Sequence, residues 1–203
     1  MNVYDFDNTI YRGDSTFGFV LYLYKHYPKT WLSIPRTAVC GLLYGVRLMK
    51  KLTFKQNLYH MFVYVKDMEK AVEDYTSSHL DHIKTFYKET QRPDDLVISA
   101  SPEFLIRSFC DKIGIQNRMA SVVDMHSGKY TGINCHGIEK VRRFREIYGH
   151  AHVEGFWSDS LSDAPLAVLA DHAYVVKGDT ITAWPQESIK ETKAKYQDMF
   201  TEL

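Results

Sequence analysis

Hydrophobic and polar positions change their rhythm along the chain. Val3, Tyr4 and Phe6 form a short β-prone run that meets Asn8 and then Arg12-Gly13-Asp14, a polar turn, so a strand ending in a carboxylate-rich loop is expected at the start. From Ser15 to about Thr90 the apolar residues recur at helical spacing: Phe17, Val20, Leu21, Tyr24; Ala38, Leu42, Val46, Met49; Phe54, Leu58, Met61, Val65; Met68, Val72, Tyr75, His79, Ile83, Phe86. Side chains three or four residues apart share one side of a helix, so this block reads as about four amphipathic helices.

After Arg92-Pro93-Asp94-Asp95 the period changes again, and Leu96-Val97-Ile98 reads as a buried strand stopping at Ser99. Ser101, Pro102 and Gly114 punctuate a helix, with an N-cap candidate, proline at its first position and glycine past its end. Residues 122–125 and 129–131 flank Ser127-Gly128 as a small hairpin. Helices follow over 138–148, closed by Gly149, and 165–170; strands follow over 153–157 and 173–176; residues 188–200 form a charged helical tail. This alternation predicts an α/β protein with a doubly wound, mostly parallel, Rossmann-like sheet. Because the first strand is separated from the rest by the helical block, residues 15–90 read as an α-helical cap inserted into a catalytic core of 1–14 and 91–203.

With 203 residues, 45% of them hydrophobic and 14% aromatic, the chain can bury a core. Twenty-five Lys and Arg balance 25 Asp and Glu, so no broad basic field exists to hold nucleic acid, and none is expected as a partner. Cys40, Cys110 and Cys135 lie far apart, which fits reduced thiols better than disulfides or zinc. Asp5 and Asp7 follow Met1 too closely for a secretory signal. The most apolar run, 38–45, lies between Arg36 and Arg47 and falls short of the ~20 residues a transmembrane segment needs. A cytoplasmic protein is expected.

The most specific chemical signal is Asp5-Phe6-Asp7-Asn8-Thr9. Residues i and i+2 of an extended segment share a side, so both carboxylates emerge together at a strand end, where α/β sheets place their ligands. One can attack an electrophilic phosphorus while the other protonates the departing oxygen and later takes a proton from water. Two adjacent anions call for a divalent cation, and hard oxygen donors favour magnesium. The same residues also read as an exposed acidic turn with Thr9 capping a helix.

Ser99 ends a buried strand beside a helix N-terminus and could hold a phosphoryl oxygen, or be an ordinary strand-end serine. Lys140, near a helix start, can supply positive charge to phosphate, or simply be solvated. Asp159 and Asp163, four apart after a buried strand, suit a metal ligand and a supporting acid, or an acidic loop that caps the next helix.

In order, spacing and element type these four segments resemble the haloacid dehalogenase-like hydrolase superfamily. The resemblance implies Asp5 as nucleophile, Asp7 as general acid/base, Thr9 as support for the acidic loop, and Ser99 and Lys140 as phosphoryl binders. It implies Mg2+ held by the Asp5 carboxylate, the Asp7 backbone carbonyl and Asp159, with Asp163 at the metal. A second aspartate two residues on marks the phosphoryl-transferring members, so Asp7 weighs against dehalogenation. The helical cap, and segments such as Val97-Ile98-Ser99-Ala100-Ser101-Pro102-Glu103, resemble the phosphoserine phosphatase branch. There Asp14 falls at a substrate-binding acidic position. Met61, however, stands where that branch grips the substrate carboxylate with arginine, and a thioether cannot make that pair, which argues against phosphoserine. Ser162 likewise replaces that branch's usual asparagine.

The expected activity is therefore a Mg-dependent phosphomonoester phosphatase with an aspartyl-phosphate intermediate and a small phosphorylated metabolite as substrate. The aromatics Tyr22, Tyr24, Tyr27, Trp31, Tyr44, Tyr59, Phe62 and Tyr64 leave open a lipid-phosphate phosphatase, although a cap packing its own core is the plainer account. A phospho-accepting signalling module is the alternative from another class.

Overall fold

Strand β1 (Asn2–Tyr4) is only three residues long, yet the sheet is built around it. The computed structural model describes residues 1–200. After β1 come helices α1 (Ser15–His26), α2 (Ile34–Gly45), α3 (Lys51–Tyr59), α4 (Met68–Ser78) and α5 (Thr85–Thr90), joined by short 3-10 turns and containing no named strand. Then follow β2 (Leu96–Pro102), α6 (Glu103–Lys112), β3 (Asn117–Ser121), α7 (Ile138–Tyr148), β4 (Val153–Ser158), α8 (Ala164–Ala167), β5 (Ala170–Lys177), β6 (Thr180–Ala183), α9 (Gln186–Lys195) and α10 (Gln197–Phe200). The strand order is β3-β2-β1-β4-β5-β6. Every neighbouring pair is parallel except β5 with β6. The expected mostly parallel, doubly wound α/β sheet is therefore present.

In this order the chain turns back at β1, and its crossovers leave β1 and β4 toward opposite faces, opening a crevice at their carboxyl ends. Register fixes what stands there: Tyr4 lies level with Val97 and Trp157, and the Asp5 amide donates to the Trp157 carbonyl at 2.9 Å. Alternation divides the apolar residues between the faces. Tyr4, Phe6, Phe104 and Phe109 join Phe19, Phe62 and Tyr75 of the helical run in one cluster. Val3, Ile98, Phe156, Val141, Phe144 and Trp184 form the other. Cys110 belongs to the first cluster and Cys135 to the second; both thiols, like that of Cys40, are buried and unpaired.

Several expected boundaries move. The run from Met68 to Phe86 is not one helix: α4 stops at Ser78, and Ile83 bridges Tyr11 while the Lys84 amide donates to the Ile10 carbonyl at 2.8 Å. Backbone pairing with the loop after β1 outcompetes helical spacing there. Lys84 is buried, and its Nζ donates to the carbonyls of Asn8 and Gly178, each at 2.6 Å. Strand β2 runs on to Pro102 through a register shift, so Ser101 is not the N-cap of α6. The small hairpin is present as a Val123–Tyr130 bridge, whereas β3 and β6 were not expected from the sequence. The helix expected over 165–170 ends at Ala167, with Ala170 already in β5.

Candidate active site

Just beyond β1 the chain folds back tightly. Asn8 adopts a left-handed φ of 58°, a conformation asparagine tolerates better than most residues, and its amide donates to the Gly13 carbonyl at 2.9 Å. Asp5 and Asp7 thereby line one cleft of about 230 Å³ together with Asp14, Ser99, Lys140, Asp159 and Asp163.

Asp5 is 7% exposed. Its Oδ1 accepts a hydrogen bond from Lys140 Nζ at 2.6 Å, and its Oδ2 accepts one from Thr9 Oγ1 at 3.4 Å. Burial pushes the Asp5 carboxyl up from the ordinary range, Lys140 pulls it back, and Asp163 and Asp7 add to the rise. Lys140, 1% exposed on the first turn of α7, also donates to Asp163 Oδ2 at 2.7 Å. Burial disfavours its ammonium, but Asp163 and Asp5 outweigh that penalty and hold it protonated. Asp163 Oδ2 takes a further bond from Ser158 Oγ at 2.9 Å, whereas its buried Oδ1 has no hydrogen-bond partner among the described residues.

The Asp7 carboxylate is held from two other directions. Its Oδ1 accepts the Ser15 amide at the start of α1 at 2.6 Å, and its Oδ2 accepts Ser101 Oγ at 2.5 Å and, at 3.5 Å, Ser99 Oγ. Burial raises this carboxyl, Asp14 adds to the rise, and Ser101 and Ser15 oppose it. Ser99 Oγ in turn accepts the Ser101 amide at 3.0 Å. Thr9 is fully buried and caps no helix: its hydroxyl, bonded to Asp5, accepts the Asp159 amide at 2.9 Å and so ties the loop after β1 to the loop after β4. Asp159 is half-buried, its carboxyl raised by burial against the pull of Lys177. Asp14 is exposed and caps α1 by accepting the Phe17 amide at 2.8 Å while still lining the cleft.

Asp5, Asp7, Asp14, Ser99, Lys140, Asp159 and Asp163, all singled out from the sequence, thus line this cleft, and Thr9 braces it. Sequence reasoning missed Ser101, misread as a helix cap, and also Lys51, Lys55 and His136, which line the same space. Lys51 and Lys55 are four apart on α3, a spacing that places two cations on one side of a helix and was the available signal. Burial lowers the Lys55 ammonium, and burial also lowers His136, which bonds Ser162 Oγ at 3.2 Å. The aromatic residues of the helical run do not line the cleft; Tyr59 and Phe62 pack in the core.

A family model for haloacid dehalogenase-like hydrolases matches residues 3–167. The chain belongs to that family. A stretch of this haloacid dehalogenase-like hydrolase is 31% identical over 109 residues to a Mycobacterium tuberculosis protein named as a probable phosphatase, covering 45% of this chain and 37% of that protein. The chain therefore spans well under half the length of that curated relative. Among solved structures, a Bordetella pertussis protein of unknown function superposes with a TM-score of 0.64 at 15% identity, over 82% of this chain and 84% of its own. A phosphoserine phosphohydrolase-like protein from Francisella tularensis gives 0.50 at 14% identity, over 85% and 86%. Cytosolic 5'-nucleotidase IIIB bound to cytidine gives 0.52 at 14% identity, over 83% and 68%. At such identities these likenesses show the shared fold.

Proposed function

We propose that this protein is a magnesium-dependent phosphomonoester phosphatase that works through an aspartyl-phosphate on Asp5. The observation that carries the reading is the Asp5 carboxylate held by Lys140 at the end of the central strand, with a second carboxylate, Asp7, separately anchored in the same cleft.

An Asp5 oxygen attacks phosphorus and the bond from phosphorus to the ester oxygen breaks, the leaving oxygen taking a proton from Asp7. Water then attacks the phosphorus of the acyl phosphate, Asp7 removes its proton, and the P–O bond to Asp5 breaks to release phosphate. Lys140 and Ser99 bind the phosphoryl oxygens, and Thr9 keeps Asp5 aligned with the Asp159 loop. Lys51 and Lys55 add positive charge where an anionic substrate enters.

The residues fit a hard divalent cation. Five carboxylates, Asp5, Asp7, Asp14, Asp159 and Asp163, face three lysines in the cleft, and the buried Asp163 Oδ1 lacks a partner among the described residues. Among the described residues no three acidic, His or Cys side chains converge as a metal centre, so a backbone oxygen would have to complete the set. The Asp5 carboxylate, the Asp7 carbonyl and Asp159 would hold magnesium, with Asp163 in support. When bound, the ion would neutralise the converging negative charge of phosphate and carboxylates.

In this reading residues 15–90 act as a cap over a core formed by 1–14 and 91–203, and the substrate is a small phosphorylated metabolite met in the cytoplasm, with no nucleic acid as partner. Met61 is fully buried, which supports a substrate other than phosphoserine. No helix among the described residues is long and apolar enough to cross a membrane.

The test is phosphate release from a panel of phosphorylated metabolites and an aryl phosphate, with magnesium or chelator, for the parent and Asp5→Asn. Turnover is expected to need the metal and to fall by at least ~10³ in the variant. An Asp5→Asn enzyme with undiminished turnover would remove Asp5 as nucleophile.

A further inference from the structure

Although the whole chain is neutral, its charges are unevenly placed. Residues 15–66 contain eight Lys and Arg and no Asp or Glu, so all the compensating negative charge lies elsewhere. Among the described residues α2 is held on one side only: Cys40 is buried, and Tyr44 stacks on Phe54 of α3 at 5.1 Å. On the other side Ala38, Val39, Leu42 and Val46 recur at helical spacing and face solvent, with Val39 60%, Leu42 69% and Val46 57% exposed. Isolated exposed aliphatics are ordinary, but a stripe along an entire helix is not. Arg36 and Arg47 bracket the stripe, and exposed Trp31 and Leu48 extend it beyond both helix ends.

We infer that α2 docks this protein on the surface of an anionic phospholipid bilayer. The twelve-residue helix is about 18 Å long, well short of the ~30 Å hydrocarbon core, so it would lie in the interfacial plane rather than cross. The stripe enters the boundary between headgroups and acyl chains, Arg36 and Arg47 meet lipid phosphates, and Trp31 sits at headgroup depth. Two other occupants fit less well. A second copy would set Arg36 and Arg47 against their own counterparts, with no acid anywhere in residues 15–66 to offset them. A nucleic acid would leave the aliphatic stripe against a charged backbone it cannot bind.

The experiment is sedimentation of the whole protein with vesicles of phosphatidylcholine alone or mixed with phosphatidylglycerol. The parent is expected to pellet with the mixed vesicles, less so as salt rises, and to stay in solution with phosphatidylcholine. The double variant Val39→Glu/Leu42→Glu, altered only at exposed positions, should lose vesicle binding about tenfold or more while keeping its circular dichroism. Arg36→Glu/Arg47→Glu should weaken binding to the mixed vesicles in the same direction. The inference is overturned if the parent ignores mixed vesicles or binds both kinds equally, or if the glutamate variant pellets like the parent. Concentration-dependent dimers abolished by Val39→Glu/Leu42→Glu, or retention of the parent by duplex DNA in place of mixed vesicles, would overturn it in favour of those occupants. The readout needs no turnover, so it stands or falls separately from the phosphatase assignment.

Discussion

Lys140 is a cation with almost no water to stabilise it, and it remains charged because Asp5 and Asp163 each lie within hydrogen-bond distance. Removing one member of such a buried set leaves the others uncompensated, which costs far more than the set contributes intact. Lys140→Met should therefore lower stability by about 3–5 kcal/mol, read from denaturant melts, as well as abolish turnover. Adding Asp163→Asn should recover part of the stability and none of the activity. Ser101 acts differently, because among the described residues its hydroxyl hydrogen-bonds Asp7 and Thr16, the latter at 2.7 Å. On the proposed mechanism Ser101→Ala should reduce kcat by about tenfold with KM little changed, since Ser101 would orient the acid/base Asp7 rather than hold substrate. Asp5, Asp7 and Asp159 were readable from the sequence because their spacing at strand ends survives any detail of packing. Ser101 was not, because its serine-proline context also describes a helix start, and only the extension of β2 turns its side chain toward Asp7.

At the scale of elements, α7 carries Lys140 on one side and is braced on the other. Glu139 is buried and accepts from Arg142 at 2.8 Å through both its oxygens and from Arg143 at 2.9 Å, while Arg143 reaches the Ala120 carbonyl of β3 at 2.7 Å. Its hydrogen bonds to Arg142, against an opposing push from burial and with Arg143 adding to them, pull the carboxyl from 4.5 down to about 2. A folded-state value below the unfolded one means that the carboxylate stabilises α7 fully above the unfolded value, and that this support drains away as pH falls toward the folded one. Glu139→Gln should thus lose about 1–2 kcal/mol near neutral pH, with the difference in melting temperature closing in acid between 4.5 and about 2. Helix α7 was legible from its spacing and its closing glycine. Strands β3 and β6 were not: Asn117-Arg118 opens β3 with polar residues, and the Thr-Ile-Thr-Ala alternation of β6 has only the shortest length that signals a strand, on residues that are all exposed.

Across the whole molecule, each apolar cluster leans on one face of a single sheet, and each hides one cysteine well inside it. Burial pushes the Cys110 thiol up to about 12 and that of Cys135 up to about 11, leaving almost no thiolate at physiological pH. Neither can meet a maleimide until its own layer comes apart. The native protein therefore carries a reporter sealed in each half: under rising urea, quantifying adducts at the two sulfurs by mass spectrometry should reveal whether the layers open together. Matching midpoints are expected, because the shared strands β1 and β2 contribute side chains to both.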